Sequence, residues 1–175
     1  METTYNTLSP QAVNFFAKLK NYIDLPIYYF GSVQRPDYFF GGSDIDVDIF
    51  TPHPKSTVMQ MSNFLNKPQD EFKRMVWKLC NGTVAVGQKI MYKDPAQGLV
   101  VEFSIYDEKY KAAVLAEHQH KMQLPFYVTF LLIFLKMFYY GLHIISEKLY
   151  TTLKRLILNT LVNTEEEYFV IVDMK

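Results

Sequence analysis

Between positions 44 and 50 the sequence reads Asp-Ile-Asp-Val-Asp-Ile-Phe, an alternation of acid and apolar residues. As a β-strand this segment points Asp44, Asp46 and Asp48 to one face, while Ile45, Val47 and Ile49 face a core. Carboxylates crowded in this way repel one another, and a divalent cation between them removes the repulsion; hard oxygen donors of this kind suit Mg²⁺ or Mn²⁺. A plain solvent-facing strand would alternate its charges in sign or include Lys, and this one does neither. Upstream, the apolar run Pro26-Ile27-Tyr28-Tyr29-Phe30 stops at Gly31-Ser32. Glycine there admits close backbone approach, and the Ser hydroxyl with neighbouring N–H groups can hold phosphate oxygens. The two halves divide a phosphoryl-transfer site into a phosphate part and a metal part.

A two-metal site needs a further acid opposite the first pair. Glu102, in Val100-Val101-Glu102-Phe103, stands in an apolar strand where a lone charge is costly unless engaged; the exposed face of a hairpin is the other reading. Asp107 is the weaker choice, since it sits where a helix cap is expected. Among the first three acids two pairings fit, Asp44 with Asp46 or Asp46 with Asp48. The first is favoured because Gly41-Gly42 brings Asp44 to the mouth of the strand, whereas Asp48 lies deeper by roughly 7 Å and suits a supporting acid or a base.

Other polar residues carry two readings each. Lys136 is a single charge in the apolar run Leu131 to Tyr140, so it either snorkels to water or meets an anion. Arg35 reaches either a phosphate or a loop salt bridge. Tyr38, Phe39 and Phe40 crowd the loop before the acids and are expected to anchor it, with stacking on a base as the alternative. His118 and His120, two apart on a helix, face different directions and read as surface residues rather than a zinc site.

Hydrophobic-Gly-Ser, eleven intervening residues, then Asp-hydrophobic-Asp-hydrophobic resembles the signature of the DNA polymerase β-like nucleotidyltransferase superfamily. The resemblance is specific over residues 27–50. It implies an α/β fold, a nucleotidyltransferase-like mixed sheet flanked by helices with a C-terminal α-helical part. It further implies transfer of an NMP from an NTP to an acceptor hydroxyl or phosphate with release of pyrophosphate. Two Mg²⁺ (or Mn²⁺) ions would be held by Asp44, Asp46 and Glu102, and Gly31 and Ser32 would hold the triphosphate. A Lys from the helical part commonly contacts the triphosphate in this superfamily, a role Lys136 would fill. The acceptor stays open between a protein hydroxyl, a small molecule and an RNA end.

The elements that must position these groups are legible in outline. Ser9-Pro10 caps a helix over residues 10–22, with Val13, Phe16, Ala17, Lys20 and Ile23 at helical spacing. After the two strands, Thr51-Pro52-His53-Pro54 breaks the chain, and Ser56 or Thr57 caps a helix through Met59, Met61, Phe64 and Leu65. Pro68 with Asp70 and Glu71 predicts a further helix ending at Asn81-Gly82, in which Cys80 packs. Residues 83–91 and 99–105 form a hairpin around the turn residues Lys93 to Gly98. Helices follow from Asp107 to about Lys121, from Pro125, and from Ser146, with a closing strand over residues 168–172. A soft boundary divides an α/β core, residues 1–123, from a helical extension, residues 124–175.

With 175 residues and an apolar fraction of 49%, the chain buries a substantial core and is not disordered. Acids and bases balance at 18 each, which removes any net attraction to a nucleic-acid backbone. One cysteine excludes an internal disulfide framework. The opening METTYNTLSP lacks the basic and apolar parts of a signal peptide. Residues 124–145 are strongly apolar, yet the charge-free stretch 124–135 has the length of a buried helix rather than of a membrane span. A cytoplasmic enzyme without membrane contact is therefore expected. Its rivals are an inactive nucleotidyltransferase-fold partner protein, antitoxin-like in character, and a membrane-associated protein using residues 124–145.

Overall fold

Ser9 accepts the backbone N–H of Ala12 at 3.1 Å and starts α1, Pro10–Ile23, with Pro10 at its first position. Phe15, Phe16, Leu19 and Ile23 form its buried stripe, and Asp24 in the left-handed region ends it. These are features of the computed structural model, which describes residues 1–162 and the backbone of residues 169–172. The chain continues through β1 (Ile27–Phe30), a single 3₁₀ turn (Gly31–Gln34), a loop, β2 (Ile45–Thr51) and α2 (Pro54–Leu65). Strands β3 (Lys73–Lys78), β4 (Val84–Asp94) and β5 (Leu99–Asp107) follow, then helices α3 (Lys111–Met122), α4 (Phe126–Lys136) and α5 (Glu147–Val162), and finally β6 (Phe169–Val172).

The strands form one mixed sheet in the order β1-β2-β5-β4-β3-β6. β2 and β5 run parallel and the other neighbours antiparallel. Period-two alternation gives the sheet two different faces. Ile27, Tyr29, Val47, Ile49, Phe103 and Ile105 join Phe16 and Leu19 of α1 and Met61 of α2 in the larger core. On the opposite face Tyr28, Met75, Trp77 and Tyr106 pack with Val114 of α3 in a smaller one. The same opposite face carries Asp46, Asp48 and Glu102, because Asp46 is registered with Glu102 across the parallel pair. The α/β class, the mixed sheet and the C-terminal helical part expected from the sequence are all present.

One element differs in kind. The helix expected after Pro68 is only the 3₁₀ turn Gln69–Glu71, and the residues beyond it are strand β3. Met75 and Trp77 are buried between the more exposed Arg74, Val76 and Lys78, an alternation that suits a sheet with one covered face. Cys80 consequently lies in the turn after β3 rather than in a helix. It is exposed, its N–H donates to Glu117 Oε2 at 2.9 Å, and its Sγ contacts Oε1 of the same carboxylate at 3.2 Å. α2 begins two residues earlier than Ser56, and Thr57 hydrogen-bonds Thr51 Oγ1 at 3.2 Å. Tyr168, expected to open the closing strand, lies outside the described residues.

α4 continues into a π-helical turn, Met137–Gly141. Among the described residues no single helix is long and apolar enough to cross a membrane; the helical segments 108–122 and 126–141, which together have the length and apolarity, are bent by 84°.

Candidate functional site

β1 delivers its last residue, Phe30, opposite Asp46 of β2, and the chain then turns sharply. Gly31 makes that turn at φ +67°, and a Cβ there would overlap the Asp46 carboxylate. Only glycine meets both conditions, since the left-handed backbone and the absent side chain are needed at the same atom. Ser32 follows, buried, with an Oγ that has no hydrogen-bond partner among the described residues. An unpartnered buried hydroxyl is a cost that a bound oxygen-rich ligand would remove.

Asp46 is half-buried and lines a cleft. Burial first, and then the charges of Asp44 and Glu102, hold its pKa well above the usual carboxylate range, against the opposing fields of Lys154 and Lys89. The three acids selected from the sequence therefore share one patch of the sheet. Glu102 is ion-paired with Lys89 of β4, and among the described residues no three His, Cys, Asp or Glu side chains are gathered as a ready metal site. Asp44 and Asp46 offer hard oxygen donors whose repulsion a cation would offset, so the donor chemistry fits Mg²⁺ or Mn²⁺. Glu102 would complete the set on leaving Lys89.

Asp48 belongs to a different partnership. It is fully buried, its Oδ2 lies 2.7 Å from His118 Nε2 on α3, and its Oδ1 has no hydrogen-bond partner among the described residues. Burial raises its pKa despite the nearby imidazole. His118, expected at the surface, is 8% exposed. Its ring stacks on Phe30 at 3.9 Å and lies beside Trp77. A helix position reads as exposed from polarity alone, but a neighbouring buried carboxylate reverses that inference. Of the two pairings left open by the sequence, Asp44 with Asp46 is the one that lines the cleft.

That cleft, of about 720 Å³, lies between the sheet, α3 and the C-terminal helices, and brings together Gly31, Ser32, Asp44, Asp46, Glu102 and Lys136. Lys136 does not work there as expected. Its Nζ donates to Asp37 O at 2.8 Å and Ser43 Oγ at 3.1 Å and meets Asp37 Oδ2 at 2.9 Å. An ammonium has three donors, and all three are taken. Burial lowers the Lys136 pKa while Asp37 opposes the change.

Arg35 takes the salt-bridge role, binding Asp37 at 2.7 and 3.1 Å. Although burial pushes Asp37 upward, Arg35 and Lys136 bring it below the usual carboxylate value. Lys136 thus fastens the loop that carries Ser43 and Asp44 onto α4. Phe39 anchors the same loop by stacking on Tyr140 at 5.4 Å, whereas Phe40 is 61% exposed.

The cations that do face the acid patch come from elsewhere. Lys154 of α5 lines the cleft and lies within the field of Asp46, and Lys89 and Lys121 line it as well. Nothing local in the sequence marks Lys154, because its place depends on how α5 docks; its spacing from Tyr150, one helical turn, was the available signal, and both line the cleft. Comparison of the chain with family models, with curated proteins and with solved structures finds no match.

Proposed function

We propose that the cleft is a Mg²⁺-dependent nucleotidyltransferase site in a nucleotidyltransferase-like fold, moving an NMP from an NTP to an acceptor hydroxyl or phosphate. The observation that carries this reading is the Gly31 backbone pressed against Asp46, with the unpartnered Ser32 hydroxyl beside it. This is a phosphate seat next to paired carboxylates. Asp44 and Asp46, with Glu102 as the third acid, would hold Mg²⁺ or Mn²⁺; the bound ions would neutralise phosphate charge and favour the ionised acceptor. Ser32 would donate to a phosphate oxygen, and Lys154 would supply the cationic contact that Lys136 cannot. The acceptor oxygen forms a bond to the α-phosphorus as the bond to pyrophosphate breaks. The protein contributes position and field rather than covalent chemistry.

The Glu102–Lys89 ion pair favours a second reading, an inactive relative that binds nucleotide or a partner protein without turnover. Incubating the full chain with each labelled NTP, Mg²⁺ or Mn²⁺ and a panel of protein, small-molecule and RNA acceptors separates the two. Metal-dependent label transfer with pyrophosphate release supports the enzyme. Calorimetric NTP binding without transfer supports an inactive nucleotide binder, and the absence of both binding and transfer overturns the enzyme and leaves only the partner-binding form of the inactive reading.

A further inference from the structure

α4 presents two unlike faces. Val128, Leu132, Leu135 and Lys136 are buried against the protein. The other side is bare: Phe126 is 87% exposed and Phe130 60%, and Phe134 and Phe138 extend the same surface, with Leu142 at 53% and Ile144 at 67% beyond the π-helical turn. Tyr127, Leu131, Ile133 and Met137 lie between them and are likewise exposed. At 100° per residue the exposed positions of residues 126–138 fall within one arc of about 160°. Over residues 126–144 the only Lys, Arg, Asp or Glu is Lys136, which is buried and ion-paired on the opposite side.

Scaled to the 150–250 Å² that an aromatic side chain can bury, this surface amounts to roughly 900 Å² of apolar area. A typical monomer leaves its largest apolar patch at about 300–600 Å². A standard protein interface takes about 800 Å² from each partner.

We propose that the exposed face of α4 is the interface of a two-fold homodimer of this chain. A patch with no charge offers nothing to select an oppositely charged partner, while two identical apolar arcs meet without like-charge conflict. Homodimer interfaces are the more apolar class, and two-fold pairs are the commonest closed assembly. A helix seated in a lipid interface carries a Lys- and Arg-rich polar face. α4 has none, because its remaining face is docked on the protein. Pairing leaves the cleft open, since Lys136, which lines it, points away from the arc. This inference stands independently of the nucleotidyl-transfer reading.

Sedimentation velocity on the full chain tests it. At a concentration of ~10 µM the wild type is expected at twice the chain mass of 20.6 kDa. Phe130→Asp is expected at one chain mass, with an unchanged far-ultraviolet dichroism spectrum. Phe126→Asp is the safeguard against misfolding: its side chain is the most exposed of the arc, and an acid is favoured in the first turn of a helix. It is expected to shift the equilibrium at least tenfold toward monomer. A monomeric wild type overturns the proposal, as does a dimer that neither substitution weakens. Flotation of a monomeric wild type with phosphatidylcholine–phosphatidylserine vesicles would assign the face to lipid and overturn it equally.

Discussion

His118 Nε2 lies 2.7 Å from Asp48 Oδ2 across a sequence separation of 70 residues, so α3 is tied to the centre of the sheet through a fully buried carboxylate. Removing one partner of a buried charge leaves the other uncompensated, at a cost of about 3 kcal/mol. The Asp48 pKa is already raised by burial, and His118 opposes that rise. The folded state therefore holds a proton that the unfolded chain has released, and stability falls as pH climbs from the ordinary carboxylate value through the raised one. In His118→Ala the raised value moves further up. Urea unfolding at about pH 5 and about pH 8 is expected to show the larger loss at the higher pH; an equal loss at both would remove Asp48 as its cause.

Asp46 offers the same linkage with a different outcome. Its pKa is raised by burial and by Asp44 and Glu102, so Asp46→Asn removes a destabilisation that grows as pH rises above the usual carboxylate range. The variant is expected to be more stable than wild type at neutral pH without metal. Mg²⁺ is expected to raise the melting temperature of wild type only. Nucleotidyl transfer is expected to fall by about 10³-fold or more, the scale of several kcal/mol of metal stabilisation. Thermal melts with and without Mg²⁺, paired with label transfer, read both effects.

The hydroxyl of Ser32 makes no hydrogen bond among the described residues. Ser32→Ala is therefore expected to leave stability unchanged or slightly higher, while NTP affinity falls by about 1.5 kcal/mol, the lower end for a hydrogen bond to a charged group. Calorimetric titration of NTP into both proteins measures the difference, and equal affinities would take Ser32 out of the phosphate seat.

Two lysines should separate cleanly. Lys136→Met strands Asp37 with Arg35 alone and loosens the loop before Asp44, with an expected loss of about 3 kcal/mol in denaturant unfolding. Lys154→Met is expected to unfold within about 0.5 kcal/mol of wild type and to raise the KM for NTP about tenfold. The reverse pattern would return the triphosphate contact to Lys136.

The sequence disclosed most where one short segment determined its own structure. Alternation in Ile45 to Ile49 and the Gly31-Ser32 turn placed the acids beside that turn, and Ser9-Pro10 fixed α1. Asp70 and Glu71 after Pro68 imitated a helix start, and the alternation of Met75 and Trp77 that identifies β3 matters only once its neighbour β4 is known. His118 and Lys154 were illegible for a related reason. A helix pattern reports which side is polar, while their roles come from the remote carboxylates they approach.

The parallel pairing of β2 with β5 sets an order of assembly. Asp44 and Asp46 are in place once β1 and β2 form a hairpin, but Glu102 joins them only after the chain has run through α2, β3 and β4 and returned in β5 to lie beside β2. Closing so long a loop costs entropy before any contact across it is gained, and such non-local pairings form slowly. A partly synthesised chain would carry two of its acids and its glycine turn without the third acid, so the acid patch is complete only once β5 has paired with β2. If the acids hold metal as proposed, the appearance of metal binding during refolding would time the pairing of β2 with β5.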